Sequence, residues 1–127
     1  MNAGQRPSGG ELLAAISNAV VGILSDCYGR GPTKAKTYMA DDYVLTVLED
    51  LLTPMEQTLV ASGREALVRE LRVTLQTAPG VSKRFTKEIS ALVGRQVVAH
   101  QTQLTFHPTF GFELFVLEPD PQPGPEE

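Results

Sequence analysis

A single cysteine, two histidines and no unbroken apolar run of membrane length set the first limits on this chain of 127 residues. Cys27 has no second cysteine to pair with, so an intramolecular disulfide is excluded and a free thiol fits a reducing compartment. At the end of an apolar helical stripe it reads as a small buried hydrophobe rather than a nucleophile. The start, "MNAGQRPSGGE", is polar and lacks the apolar core of a signal peptide. The greasiest stretch, "LLAAISNAVVGIL", is broken by Ser17 and Asn18 and is shorter than the about 20 apolar residues that span a bilayer. These absences lead to the expectation of a soluble, cytoplasmic protein without membrane insertion.

A basic surplus is missing as well. The formal net charge is −4, and four of the 15 acidic residues (Glu118, Asp120, Glu126 and Glu127) sit in the closing "EPDPQPGPEE". The body is left with 11 acidic against 11 basic residues. A near-neutral body argues against general nucleic-acid binding, which needs cations to neutralise phosphates. With 42% hydrophobic and 20% charged residues the chain is globular, and its length suits one domain with a real core.

What is present is periodicity. Leu12, Ile16, Ala19, Ile23 and Cys27 recur every three or four residues, broadened by Leu13, Val20 and Leu24, which predicts an amphipathic helix from Glu11 to near Tyr28. Gly29, Gly31 and Pro32 stop it. "TKAKTYMADDYVLTVLED" changes to a period of two, with Lys34, Lys36 and Tyr38 on one side and Ala35, Thr37 and Met39 on the other. A hairpin turning near Asp41 and Asp42 follows. "TPME" sets Thr53 as N-cap, Pro54 at the first helical position and Glu56 as the reciprocal partner of a capping box. Ser62 and Glu65 read as a second box, opening a helix with Leu67, Val68, Leu71 and Leu75 inward. Pro79 and Gly80 read as a break, with a third helical run from Ser82 that turns Phe85, Ile89, Leu92 and Val93 inward and stops at Gly94.

The last segment alternates again. Val98, His100, Thr102, Leu104 and Phe106 share one face of a strand, "HPTFG" turns, and Phe112, Leu114 and Val116 alternate with Glu113 and Phe115. The order helix, hairpin, helices, hairpin predicts an α+β fold. Its antiparallel sheet has about four strands from two hairpins, with an N-terminal helix and two to three central helices packed on it. Residues 1–9 read as a flexible lead-in, 10–118 as one domain and 119–127 as a Pro-rich acidic disordered tail.

No catalytic constellation accompanies this frame. "CYGRGPTKAKTY" lacks the G-x-x-x-x-G-K-[ST] spacing and the following helix of a nucleotide loop, and "GRG" alone is not a dinucleotide fingerprint. The remaining reading is a small-anion or nucleotide site: amides around Gly29 and Gly31, with Arg30, Lys34 and Lys36 supplying charge. The competing reading is a helix stop followed by a solvated edge strand. His100 and His107 lie on a strand and a turn without a cysteine pair, so no metal site is assigned. Asp41 and Asp42 are explained by turn formation. Lys83, Arg84 and Lys87 around Phe85 form the best local basic patch, ordinarily the wet side of a helix. An enzyme would have to assemble scattered residues such as His100, Asp42 and Arg95. Neither catalytic residues nor a cofactor are assigned.

Two stretches taken in order, "GRGPTKAKTYMADDYVLTVLEDLLTPMEQTLVASG" and "LVGRQVVAHQTQLTFHPTFGFELFVLEP", resemble the small MpsC family over roughly residues 10 to 119, most specifically in "GRGPTKAKTY", the "LTPME" helix start and the closing "FVLEP". That family is named after a sodium-translocating, membrane-potential-generating system. The resemblance implies a soluble bacterial accessory protein, linked to ion or bicarbonate energetics through a membrane-protein partner at the inner face of the membrane. The expectation is therefore a non-enzymatic interaction or regulatory module, a homo-oligomer (a homodimer in the simplest case), with the first helix as its self-association surface.

Overall fold

The computed structural model describes residues 8–120. Most of the lead-in and the tail from residue 121 lie outside them.

Helix α1 (Gly9–Tyr28) turns Ile16, Val20, Ile23 and Leu24 fully into the core. It stops at Gly29, whose φ of 80° suits a residue without Cβ and whose N–H caps Ser25 O at 2.9 Å. Its 20 residues exceed the stretch taken from the sequence. By length and composition it is one helix apolar enough to cross a membrane, which corrects the expectation that this segment is too short. The same stripe is the core of this fold, so it is not free as a self-association surface.

Strands β1 (Lys34–Ala40) and β2 (Tyr43–Glu49) form the first hairpin, turning through Asp41 at φ 53° and Asp42. Aspartate tolerates that left-handed position better than most side chains. Helix α2 (Pro54–Ala61) opens with both halves of the expected capping box: Thr53 Oγ1 accepts from the Glu56 N–H, and Glu56 Oε1 accepts from the Thr53 N–H. Helix α3 (Glu65–Gln76) does not open with the second box. Only three residues separate α2 from α3, so Ser62 is drawn into closing α2, and its hydroxyl donates to Thr58 O.

Helix α4 (Pro79–Val93) begins at Pro79 rather than at Ser82. Proline costs nothing at a first helical position, where the missing N–H would have no partner, and Ala78 takes the extended ψ of 145° favoured before it. Phe85 and Ile89 are fully buried, each contributing about 1.5–3 kcal/mol of transfer free energy. Gly94 ends the helix at φ 74°.

Strands β3 (Val97–Thr105) and β4 (Phe110–Leu117) form the second hairpin, and the antiparallel sheet has the order β1-β2-β4-β3. The second strand of each hairpin is central, and the fold class is α+β as expected. A register irregularity between Val97 and Ala99 inserts one residue. Parity therefore flips, and Val97 rather than Val98 joins His100, Thr102 and Leu104 on the inner face: Val97 is 5% exposed and Val98 59%.

Helices α1, α3 and α4 all lie on that inner face, α1 over β1 and α3 and α4 over β3. One row of the register, Thr37–Thr46–Glu113–Thr102, crosses all four strands, and all four side chains are buried beneath the helices. Ser17 of α1 hydrogen-bonds Thr37 at 2.8 Å, and Thr37 bonds Thr46 at 2.8 Å.

Candidate functional site

The Gly29–Lys36 stretch is a junction. Arg30 reaches across to the β2–α2 loop: its Nη1 donates to Leu52 O, and its Nη2 donates to Asp50 O at 2.9 Å and lies 3.3 Å from the Asp50 carboxylate. Thr33 donates to the same carboxylate at 2.8 Å, and that bond first, with the Arg30 charge, holds Asp50 below its ordinary value. The Gly29 amide is taken by the helix cap. Gly31 packs tightly against α1, since a Cβ there would sit 3.0 Å from Val21 O. Lys34 and Lys36 project from the outer side of β1, where Lys36 Nζ lies 5.4 Å from the Tyr38 ring centre. Arg30 is thus committed to loop acceptors, while the two lysines face outward from the sheet.

The interior holds a polar system that sequence reasoning did not find. Arg72 of α3 is 1% exposed. Its Nε donates to Glu56 Oε2 at 2.7 Å, and its Nη2 donates to Glu56 Oε1 and Leu51 O, each at 2.8 Å. Its Cζ stands 3.9 Å from the centre of the Tyr28 ring. Burial alone would raise Glu56, but the Arg72 and Thr53 hydrogen bonds and the Arg72 charge outweigh it, and the carboxyl lies below its ordinary value. A planar fork on a carboxylate suits such a buried pair better than a lysine would.

One helical turn on, Gln76 links this pair to the sheet. Its Oε1 accepts from the Tyr28 hydroxyl at 2.7 Å, and its Nε2 donates to Thr102 Oγ1 and Glu113 Oε2. Thr102 donates to Glu113 Oε2 at 2.7 Å, and His100 Nε2 meets Glu113 Oε1 at 2.7 Å. Desolvation pushes Glu113 above the usual carboxylate range, against the opposing pull of His100, Thr102 and Gln76. Burial likewise pushes up the Tyr28 phenol and the Cys27 thiol. The His100 ring is wedged between Phe85 and Phe115, with centroid distances of 4.8 and 5.0 Å, and its buried Nδ1 has no hydrogen-bond partner among the described residues.

The other sequence candidates are dispersed. Arg95 pairs with Asp42 at the β1–β2 turn and donates to Glu118 O, apart from the His100–Glu113 pair. His107 contacts Glu65 at 2.8 Å, and Arg84 bridges Asp26 and Glu88.

Val68 turns inward as expected, but with it go Arg72 and Gln76, which leaves Leu67, Leu71 and Leu75 outside and corrects that part of the expected inward stripe. Leu67, Leu71 and Leu75 are 41%, 53% and 38% exposed, and Met55 on α2 is 74% exposed. Between them, with Leu59, Tyr28 and Cys27, runs an open groove of about 800 Å³. Two sequence signals pointed to this arrangement. Arg72 and Gln76 stand four apart on one helix face with Val68, and Glu113 occupies a central position of an otherwise apolar strand.

A one-layer sheet with helices on a single side, a paired polar interior and apolar side chains left outside defines an α+β protein. The chain belongs to the MpsC family: the family described as "Na+-translocating membrane potential-generating system (MpsC)" matches residues 8–119, which take in every described helix and strand. Comparison with curated proteins and with solved structures gives no match.

Proposed function

We propose that this protein is a non-enzymatic interaction and regulatory subunit, accessory to a membrane ion or bicarbonate transport system and acting as a homo-oligomer. The observation that carries the reading is the orientation of α3. A helix that buries an arginine and a glutamine while exposing three leucines along a groove is shaped for a partner. The family description links the chain to a membrane-potential-generating system, and the core role of α1 supports attachment at the membrane's cytoplasmic face through a partner. The buried polar groups support a non-catalytic reading, because the Arg72–Glu56 ion pair and the His100–Glu113 hydrogen bond engage these side chains with each other.

The test is complementation. Membrane potential is followed with a voltage-sensitive dye, in sodium medium, in cells deleted for this gene. Wild-type protein is expected to restore the potential and Leu71→Glu, confirmed as folded, to fail. Restoration by Leu71→Glu would remove the groove from the function, and a deletion without effect would remove the link to membrane energetics.

A further inference from the structure

Among the described residues the helices cover one side of the sheet and leave the other open. Register and alternation define that outer face row by row. One row reads Lys36, Val47, Phe112 and Gln103 across β1, β2, β4 and β3, and the next reads Tyr38, Leu45, Leu114 and Gln101. A third is Ala40, Tyr43, Val116 and Ala99. In these three rows the central strands carry the apolar side chains, and the first two end on the edge strands in a lysine or tyrosine on one side and a glutamine on the other; the fourth row, Lys34, Glu49, Phe110 and Thr105, sets a carboxylate on β2 at one end of the face. Tyr38 and Tyr43 are about half exposed, at 50% and 53%. An apolar centre with a polar rim is the anatomy of a protein interface.

We infer that this face packs against the same face of a second copy of the chain, related by a two-fold axis parallel to the strands. The inference rests on the homo-oligomer reading above and deepens it by assigning the surface. Size is the first argument. Four strands spaced ~4.8 Å apart and seven residues long make a face of roughly 19 by 23 Å. That is about 440 Å² in projection, which protruding side chains and the rim raise toward the ~800 Å² per partner found in standard-size interfaces.

Self-complementarity is the second. A two-fold axis along the strands reverses each row, so β2 lies over β4 of the second copy and apolar pairs fall on apolar pairs. Val47 then meets Phe112, Leu45 meets Leu114 and Tyr43 meets Val116, each twice, as an isologous contact requires. Lys34 and Lys36 fall over Thr105 and Gln103, and the lysines of the two copies stay at opposite edges. With this axis the one charge set on an apolar residue is Glu49, over Phe110 at the end of the face; an axis across the strands would instead lay both Lys34 over Ala40 and Glu49 over Tyr43. An open sheet face suits a second sheet, which packs about 10 Å away at about −30°.

The experiment is analytical ultracentrifugation of the full chain and of two variants, Leu45→Lys and Leu114→Glu. Both positions are on the outer face, and far-UV circular dichroism and the melting temperature confirm that each variant folds. Wild type is expected to sediment as a dimer and each variant as a monomer. An equimolar mixture of the two is expected to recover the dimer, because the new lysine and glutamate then meet across the interface while the other contact is Leu114 on Leu45. A wild-type dimer retained by both variants overturns this face and spares the homo-oligomer reading; if Leu71→Glu then abolishes that dimer, the contact belongs to the α3 groove. Monomeric variants whose mixture stays monomeric overturn the axis, and with it the inference. A monomeric wild type at every concentration tested overturns this inference and the homo-oligomer reading together, while complementation by the groove variants still tests the accessory role.

Discussion

Arg72 meets Glu56 through two N–H···O contacts of 2.7 and 2.8 Å in the interior, with the Tyr28 ring covering the guanidinium. Removing one partner of such a pair strands the other charge away from water, which costs more than the pair gains. Arg72→Ala is therefore expected to destabilise the protein by about 3–5 kcal/mol, read as a lower midpoint in urea unfolding. Replacing both partners, as Glu56→Leu with Arg72→Met, is expected to cost less than Arg72→Ala alone. A double variant as unstable as the single one would show that packing, not the unpaired charge, sets the loss.

The two buried carboxylates titrate stability in opposite directions. Glu56 lies below its ordinary value of 4.5, so its contribution is present above 4.5 and is lost as pH falls through the folded value. Glu113 lies above 4.5, so the folded state keeps this proton longer and stability falls as pH rises from 4.5 through the folded value. Glu56→Gln is expected to flatten the acid limb of the melting temperature against pH, and Glu113→Gln the limb above 4.5. An unchanged upper limb in Glu113→Gln would assign that dependence to another group.

The extra residue at Val97–Ala99 gives neighbouring valines opposite fates. Val97→Asp is expected to lose stability by several kcal/mol, since it buries a charge without a partner. Val98→Asp is expected to stay within about 0.5 kcal/mol of wild type, as surface substitutions generally do. Equal losses in urea unfolding would place both side chains against the core and remove the inserted residue.

Gly111 sits where β4 crosses under Leu51, and a Cβ there would come within 2.9 Å of Leu51 Cδ1 and 3.3 Å of Gln103 O. The leucine methyl is able to move, but the strand carbonyl is not. Gly111→Ala is expected to cost about 1–3 kcal/mol as overpacking. A variant as stable as wild type would mean that Leu51 repacks freely.

Arg30→Ala tests the junction between α1 and β1. Loss of its bonds to Leu52 O and Asp50 is expected to lower the melting temperature by the same amount in chloride, phosphate and bicarbonate at fixed ionic strength. Stabilisation of wild type by one of those anions, absent from Arg30→Ala, would instead make the glycine stretch an anion site.

Local chemistry settled the elements of this protein. The Thr53-Pro54-Glu56 cap, the glycine stops at Gly29 and Gly94 and the Asp41–Asp42 turn each act within a few residues, so they can be read from a string of letters. The side each element turns inward was decided by the tertiary structure wherever two sides compete. On α3 the stripes Leu67–Leu71–Leu75 and Val68–Arg72–Gln76 are one residue, or 100° of rotation, apart. The polar stripe goes inside because Glu56, Leu51 O, Thr102, Glu113 and Tyr28 arrive from distant segments to satisfy it. On β3 one inserted residue exchanged Val98 for Val97. Burial of a charged or polar side chain depends on partners many residues away, and no periodicity along a single segment contains them.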